Sequence, residues 1–185
     1  MTERVIIAGF GGQGVMTMGK LFASAAMREG REATYVPCYG PEVRGGTANC
    51  HIVVSDEPIY SPWVEEATAL LLFNQLSYEK FRNQLDDGGL VVLNSSLVKT
   101  DPALERTSRG RCLAIPATDA ANEIGSVLVT NTIMLGAYCA ARKVVTAAAL
   151  LGEMERMGQG KGKTHLLDIN RRAFHKGEEL AGRSV

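Results

Sequence analysis

Arg4-Val-Ile-Ile-Ala-Gly9 is a short β-branched apolar run. It gives way to Gly9-Phe-Gly-Gly-Gln-Gly14 and then to Val15, Met18, Phe22, Ala25 and Ala26 at helical spacing. This order predicts a strand, a glycine turn and a helix. Gly30 stands where a helix C-terminal cap belongs, ahead of a second strand over Ala33 to Val36, so the opening reads as a βαβ unit. Pro37 to Gly46 breaks all periodicity with two prolines and three glycines in ten residues, which predicts a shaped loop. Thr47 to Ser55 alternates Ala48, Cys50, Ile52 and Val54 against Asn49, His51 and Val53, the pattern of a strand. Asp56-Glu-Pro58 turns it, and Ile59-Tyr60 is placed to pair back antiparallel.

Ala67 to Asn74 and Leu90 to Asn94 read as buried strands, with a helix over Tyr78 to Leu85 between them, stopped by Asp-Asp-Gly-Gly89. After a polar stretch from Ser95 to Gly110 come a strand at Cys112 to Ile115 and a helix through Asp119 to Ile124. Beyond that the pattern is helical. Val127 to Arg142 is apolar around most of its circumference, Thr146 to Met157 is shorter, and Gly158 to Lys163 separates both from a last helix. That helix has one face of Leu166, Ile169, Ala173, Phe174 and Leu180. The whole predicts an α/β fold: a three-layer, Rossmann-like, mostly parallel sheet with room for one antiparallel hairpin and a helical C-terminal part, in a single domain over 1–185.

At 185 residues, 45% hydrophobic and 22% charged, the chain is long enough to build its own core without disulfides or metals. Its 20 Lys and Arg balance 20 Asp and Glu, which removes the footprint of a nucleic-acid binder. The apolar run Ala69 to Phe73 falls far short of the ~20 residues of a membrane helix, and Met1 to Arg4 opens without a signal-peptide pattern. A cytoplasmic protein with no membrane and no nucleic-acid partner is expected. Cys38, Cys50, Cys112 and Cys139 form no C-x-x-C pair, and His51, His165 and His175 have no clustered ligand partners, so no metal site is predicted.

Gly9, Gly11 and Gly14 fit G-x-G-x-x-G between a strand and a helix, where bare backbone lets N–H groups and a helix N-terminus approach a phosphate or carboxylate. The same glycines also suit tight strand-to-helix packing. A dinucleotide site would want an acid at the end of the second strand, where this chain has Val36-Pro37-Cys38-Tyr39. Gly14 is followed by Val15 rather than Lys, so no P-loop is present. Tyr39, Glu42 and Arg44 lie on or beside the Pro/Gly loop; Arg44 can fork onto an anionic ligand or pair with Glu42. Asn131, followed by Thr132 in an apolar helix, needs partners: it faces the glycine turn, caps a helix start or satisfies a neighbouring loop carbonyl. Asn170 and Lys161 to Lys163 are lesser candidates. No nucleophile–base pair emerges, which points to a subunit lending shape and binding to chemistry on another polypeptide.

Five segments together resemble the gamma subunit of 2-oxoacid:ferredoxin oxidoreductases: Gly9-Phe-Gly-Gly-Gln-Gly-Val-Met-Thr17, Tyr39-Gly-Pro-Glu-Val-Arg-Gly-Gly-Thr-Ala-Asn49, Val54-Ser-Asp-Glu-Pro-Ile59, Asn131-Thr-Ile-Met-Leu-Gly136 and Asn170-Arg-Arg-Ala-Phe-His-Lys-Gly177. The resemblance implies a noncatalytic chain in an assembly that oxidatively decarboxylates a 2-oxoacid to an acyl-CoA and passes electrons to ferredoxin. Thiamine diphosphate would lie between alpha and beta subunits, and iron–sulfur clusters on other chains, a delta or ferredoxin-like subunit being a further candidate partner. No cofactor is then expected on this chain alone. Gly11, Gly12, Gln13 and Gly14 would offer backbone donors to an anionic group of coenzyme A, with Tyr39, Glu42, Arg44 and Asn131 shaping the neighbouring surface. The Tyr-Gly-Pro-Glu-x-Arg-Gly-Gly loop looks like the 2-oxoglutarate type, with branched-chain and pyruvate enzymes as alternatives. A freestanding nucleotide-binding oxidoreductase is the rival from another class. Isolated, such a chain is expected to be inactive and to self-associate as a homodimer.

Overall fold

A computed structural model describes residues 1–39, 47–99, 110–158 and 164–183. The apolar periodicities resolve into β1 (Thr2–Phe10), α1 (Val15–Arg28), β2 (Glu32–Tyr39), β3 (Thr47–Ser55), β4 (Ala67–Leu72), α2 (Gln75–Phe81), β5 (Leu85–Asn94), β6 (Gly110–Ile115), α3 (Ala117–Ile124), α4 (Thr130–Arg142), α5 (Ala147–Gly158) and α6 (Thr164–Arg183). The strands form one sheet in the order β2-β3-β1-β4-β5-β6. β1, β4, β5 and β6 run parallel, and β3 runs antiparallel to both of its neighbours. The mixed, mostly parallel α/β sheet is the one the alternation predicts, with differences of detail.

The antiparallel hairpin is β2–β3, not a pairing of β3 with Ile59-Tyr60. Both edges of β3 are occupied, by β1 and by β2, so a returning segment finds no free backbone to bond, and Tyr60 is left 96% exposed. For the same reason the opening is not a simple βαβ unit: β3 is inserted between β1 and β2. The helix predicted over Tyr78 to Leu85 starts earlier, because the Asn74 side chain accepts a hydrogen bond from the Ser77 N–H and nucleates α2 at Gln75. Asp86 to Gly89 then belong to the irregular start of β5. Pro37 to Tyr39, expected to begin the loop, instead extend β2 in register with Cys50 to Ala48, because β2 is an edge strand, where a proline's missing N–H is tolerated. Gly30 closes α1 in the left-handed conformation at φ 80°, its N–H and that of Arg31 bonding back to the Met27 and Ala26 carbonyls.

Strand alternation gives the sheet two apolar faces. One carries Val5, Ile7, Cys50, Ile52, Leu71 and Val92 under α1, α3, α4, α5 and α6; the other carries Ile6, Ala8, Val53, Leu70 and Leu93 under α2. The result is three unequal layers, with the heavier helical layer supplied by the C-terminal part. Its tightest contact joins the Asn131–Gly136 and Asn170–Gly177 segments. A Cβ at Gly136 would lie 2.1 Å from the Phe174 carbonyl oxygen, and one at Gly177 would lie 2.0 Å from that of Ile133. The two glycines let α4 and α6 touch backbone to backbone.

Charge is buried where it ties helices together. Glu153 on α5 has a fully buried side chain and bonds Arg28 of α1 at 2.6 Å and Arg156 one turn on. Glu3 accepts from the buried Tyr138 hydroxyl at 2.9 Å and from Arg142 at 3.2 Å. The hydrogen bond from Arg156, then that from Arg28, holds the Glu153 carboxyl below the usual carboxylate range. Its folded pKa is thus lower than its unfolded one, about 4.3. The stabilisation is present above that unfolded value and lost as pH falls through the folded one. Glu153→Gln is expected to cost about 1–2 kcal/mol near neutrality, since both arginines are half-exposed and can rehydrate. Thermal melts of both proteins should converge in acid; a constant gap would refute the assignment.

Candidate functional site

The site is built at the carboxyl end of β1. The chain leaves Phe10, turns through Gly11, Gly12, Gln13 and Gly14, and enters α1. Gly12 and Gly14 have φ of 97° and 74°, a left-handed conformation that a side chain would resist. Gln13 braces the turn from within: its Oε1 accepts from the Phe10 N–H at 2.7 Å and from Asn74 Nδ2 at 3.1 Å. Its own N–H is taken by the Phe10 carbonyl at 3.2 Å, so the donors facing outward come from the glycines and the first turn of α1. Gly14 offers no side-chain cap and the first turn of α1 carries no acid. The positive end of a 14-residue helix is left uncompensated.

That end opens into a cleft of about 450 Å³ between α1, α4, α5 and α6. Its polar side is Gly12, Gly14, Thr17, Asn131, Thr132 and Asn170. These residues are linked: Asn131 Nδ2 donates to the Gly14 carbonyl at 3.3 Å, and Thr132 Oγ1 donates to Asn170 Oδ1 at 2.9 Å. Asn131 thus stands against the glycine turn and satisfies one of its carbonyls, so the facing reading and the carbonyl-satisfying reading hold together. The facing wall is apolar, with Met18, Leu21, Leu135, Met154, Met157 and Leu167. Leu128, at the mouth, is 75% exposed.

Tyr39, at the end of β2, is 72% exposed and stands in register with Ala48, which in turn pairs with Gly9. At two strand spacings it is roughly 10 Å from the start of the turn, on the same end of the sheet. Glu42 and Arg44, and Lys161 to Lys163, lie outside the described residues; Thr47, where the chain re-enters, pairs with Phe10. Thr17 and the methionine wall were not legible in the sequence. Thr17 sits three residues past Gly14 on the same helical side, a spacing that marks it in retrospect. Met154 and Met157 belong to α5, which only packing brings here.

Two of the four thiols are buried. Burial pushes the Cys50 thiol up to about 12 and the Cys139 thiol up to about 11, so both stay protonated at neutral pH. Among the described residues no three His, Cys, Asp or Glu side chains cluster to hold a metal ion, and no helix is long and apolar enough to cross a membrane. The cleft can bind: an anion at the helix end and an apolar or flexible arm along the methionines.

Comparison with known proteins agrees with this architecture. The sequence profile described as Pyruvate ferredoxin/flavodoxin oxidoreductase matches residues 4–180. The chain is 36% identical to the ketoisovalerate oxidoreductase subunit VorA of Methanothermobacter thermautotrophicus over 98% of its own length and 37% of that subunit, so it spans little more than a third of that relative. It is 33% identical to the 2-oxoglutarate synthase subunit KorC of Methanocaldococcus jannaschii, over 98% of this chain and 95% of the other. Among solved structures, the keto/oxoacid ferredoxin oxidoreductase gamma subunit from Geobacter sulfurreducens superposes with a TM-score of 0.81 at 28% identity, covering 100% and 98% of the two chains. The 2-oxoglutarate:ferredoxin oxidoreductase from Magnetococcus marinus, with 2-oxoglutarate, coenzyme A and succinyl-CoA bound, superposes with a TM-score of 0.89 at 25% identity over 100% of this chain and 32% of that one. Sequence and fold thus converge, and the chain belongs to the Pyruvate ferredoxin/flavodoxin oxidoreductase family, with the architecture of its gamma subunits.

Proposed function

We propose that the chain serves as the gamma component of a 2-oxoacid:ferredoxin oxidoreductase and presents its glycine-turn cleft to coenzyme A, while partner subunits carry out the decarboxylation and electron transfer. The observation that carries the reading is the uncapped, acid-free N-terminus of α1 opening into a cleft with an apolar wall. Phosphate suits the first and a pantetheine-like arm suits the second. On this reading thiamine diphosphate and iron–sulfur clusters are carried by alpha and beta partners and a ferredoxin-like chain. Among 2-oxoacids, 2-oxoglutarate is preferred, on the end-to-end similarity to KorC and the Tyr39–Gly46 loop.

Copurified subunits are expected to reduce a dye only when a 2-oxoacid, coenzyme A and this chain are all present. Full activity without the chain defeats the proposal, and a kcat/KM favouring pyruvate or a branched-chain acid defeats the substrate preference alone. A freestanding dinucleotide enzyme is disfavoured, since β3 separates β2 from the turn and the end of β2 carries no acid. Tight binding of NAD or FAD by the isolated chain would revive it. A purely architectural role predicts that Arg44→Ala leaves the KM for coenzyme A unchanged. Exposed Tyr39, Tyr60, Val127 and Leu128 suit a surface covered by another chain. Light scattering of the isolated protein should therefore find a dimer at tens of micromolar, and a monomer there would contradict this.

A further inference from the structure

On the opposite face of the sheet from the glycine-turn cleft, a second hollow of about 360 Å³ lies between β2, β3, α2 and the segment before β4, lined by Cys38, Asn49, His51, Trp63 and Lys80 among others. Its floor is chemically out of place. Asn49 and His51 share their strand face with Val53, which packs into the apolar layer beneath α2. They are only 7% and 3% exposed, yet the Asn49 amide has no hydrogen-bond partner among the described residues. His51 Nδ1 lies 3.2 Å from the Val64 carbonyl. A carbonyl only accepts, so Nδ1 carries the proton and Nε2 is left as an acceptor. Both edges line the hollow, where water reaches them and a ligand can take its place. Neither is used by the glycine-turn cleft.

The rest of the hollow supplies a stacking surface and a charge. Trp63 stacks on His51 with ring centroids 4.1 Å apart and planes 17° apart, and remains 51% exposed, so one ring face is open. Lys80, on α2, is exposed and lines the hollow, as does Glu65. We propose that this hollow binds a small planar heterocycle with an amide-like donor–acceptor edge and an acidic substituent, of the nucleoside monophosphate class. The edge satisfies Asn49 and donates to His51 Nε2, the ring packs by Trp63, and the acid meets Lys80. The volume is at the small end of ligand pockets and suits such a molecule.

Trp63 is the single tryptophan of the chain, so its fluorescence reads this hollow alone. Titration of the full chain with adenosine monophosphate is expected to change that fluorescence saturably, and benzoate, which has a ring and an acid but no such edge, is not. Asn49→Leu should weaken binding at least tenfold or so by removing the reading edge. Lys80→Gln, at an exposed position that leaves the fold intact, should weaken adenosine monophosphate several-fold and leave adenosine unchanged. No saturation in the millimolar range overturns the proposal, as does binding indifferent to both variants. Calorimetric binding without a change in Trp63 places the ligand elsewhere and overturns it equally.

Discussion

Gly136→Ala is expected to cost about 3 kcal/mol and to lower the melting temperature by roughly 10 °C. The added methyl would sit 2.1 Å from the Phe174 carbonyl oxygen and 2.9 Å from its carbon, and backbone cannot turn aside as a side-chain tip can. α4 and α6 would have to separate by more than an ångström, loosening Ile133, Phe174 and Ala173 in the main core. Gly177→Ala meets the same obstacle from the other helix, 2.0 Å from the Ile133 carbonyl oxygen. Because one displacement relieves both, the double variant should cost less than the sum of the singles. Gly152→Ala on α5 is the control: nothing lies within 4 Å of its Cβ, and it should stabilise by up to about 1 kcal/mol. Calorimetric melts of the four proteins decide the matter, and a Gly136→Ala protein as stable as the parent would refute the close approach.

The second large effect separates the fold from the site within one turn. Gly14→Ala combines a left-handed φ of 74° with a Cβ 2.4 Å from Asn131 Nδ2 and 2.9 Å from its Cγ. The strain and the displaced Asn131 together should cost roughly 2–3 kcal/mol. Gly11→Ala has neither defect: its φ is not left-handed and its Cβ meets open space. Stability should stay within about 0.5 kcal/mol. In the assembled enzyme the same change, next to the cleft-lining Gly12, should raise the KM for coenzyme A several-fold with kcat preserved, because the methyl fills open space beside the turn. An unchanged KM would mean that the turn only packs.

Much of this was legible in the sequence because it is local. Gly30 ends α1, the alternation of Thr47 to Ser55 makes β3, and the glycine turn falls between strand and helix, each by short-range backbone geometry. The helix predicted over Tyr78 to Leu85 is present but begins at Gln75 for a local reason: Asn74 closes the preceding strand pattern and also caps α2. Ile59-Tyr60 failed for a nonlocal one, since pairing depends on which edges of β3 remain free. The site divides in the same way. Gly11 to Gly14 and Asn131 were visible as residue types in unusual places; Thr17, Met154 and Met157 were not, because methionine at helical spacing reads only as core.

Taken alone, the amino-acid order determined the αβ alternation and the bare turn before α1. These follow from dihedral preferences and side-chain chemistry within a few residues of each other. Only the tertiary structure decided that β3 would intervene between β1 and β2, that Asn131 would reach Gly14 across 117 positions, and that two distant glycines would meet between α4 and α6. Contacts of that kind are selected by how whole surfaces fill space together, a quantity carried by no single stretch of chain.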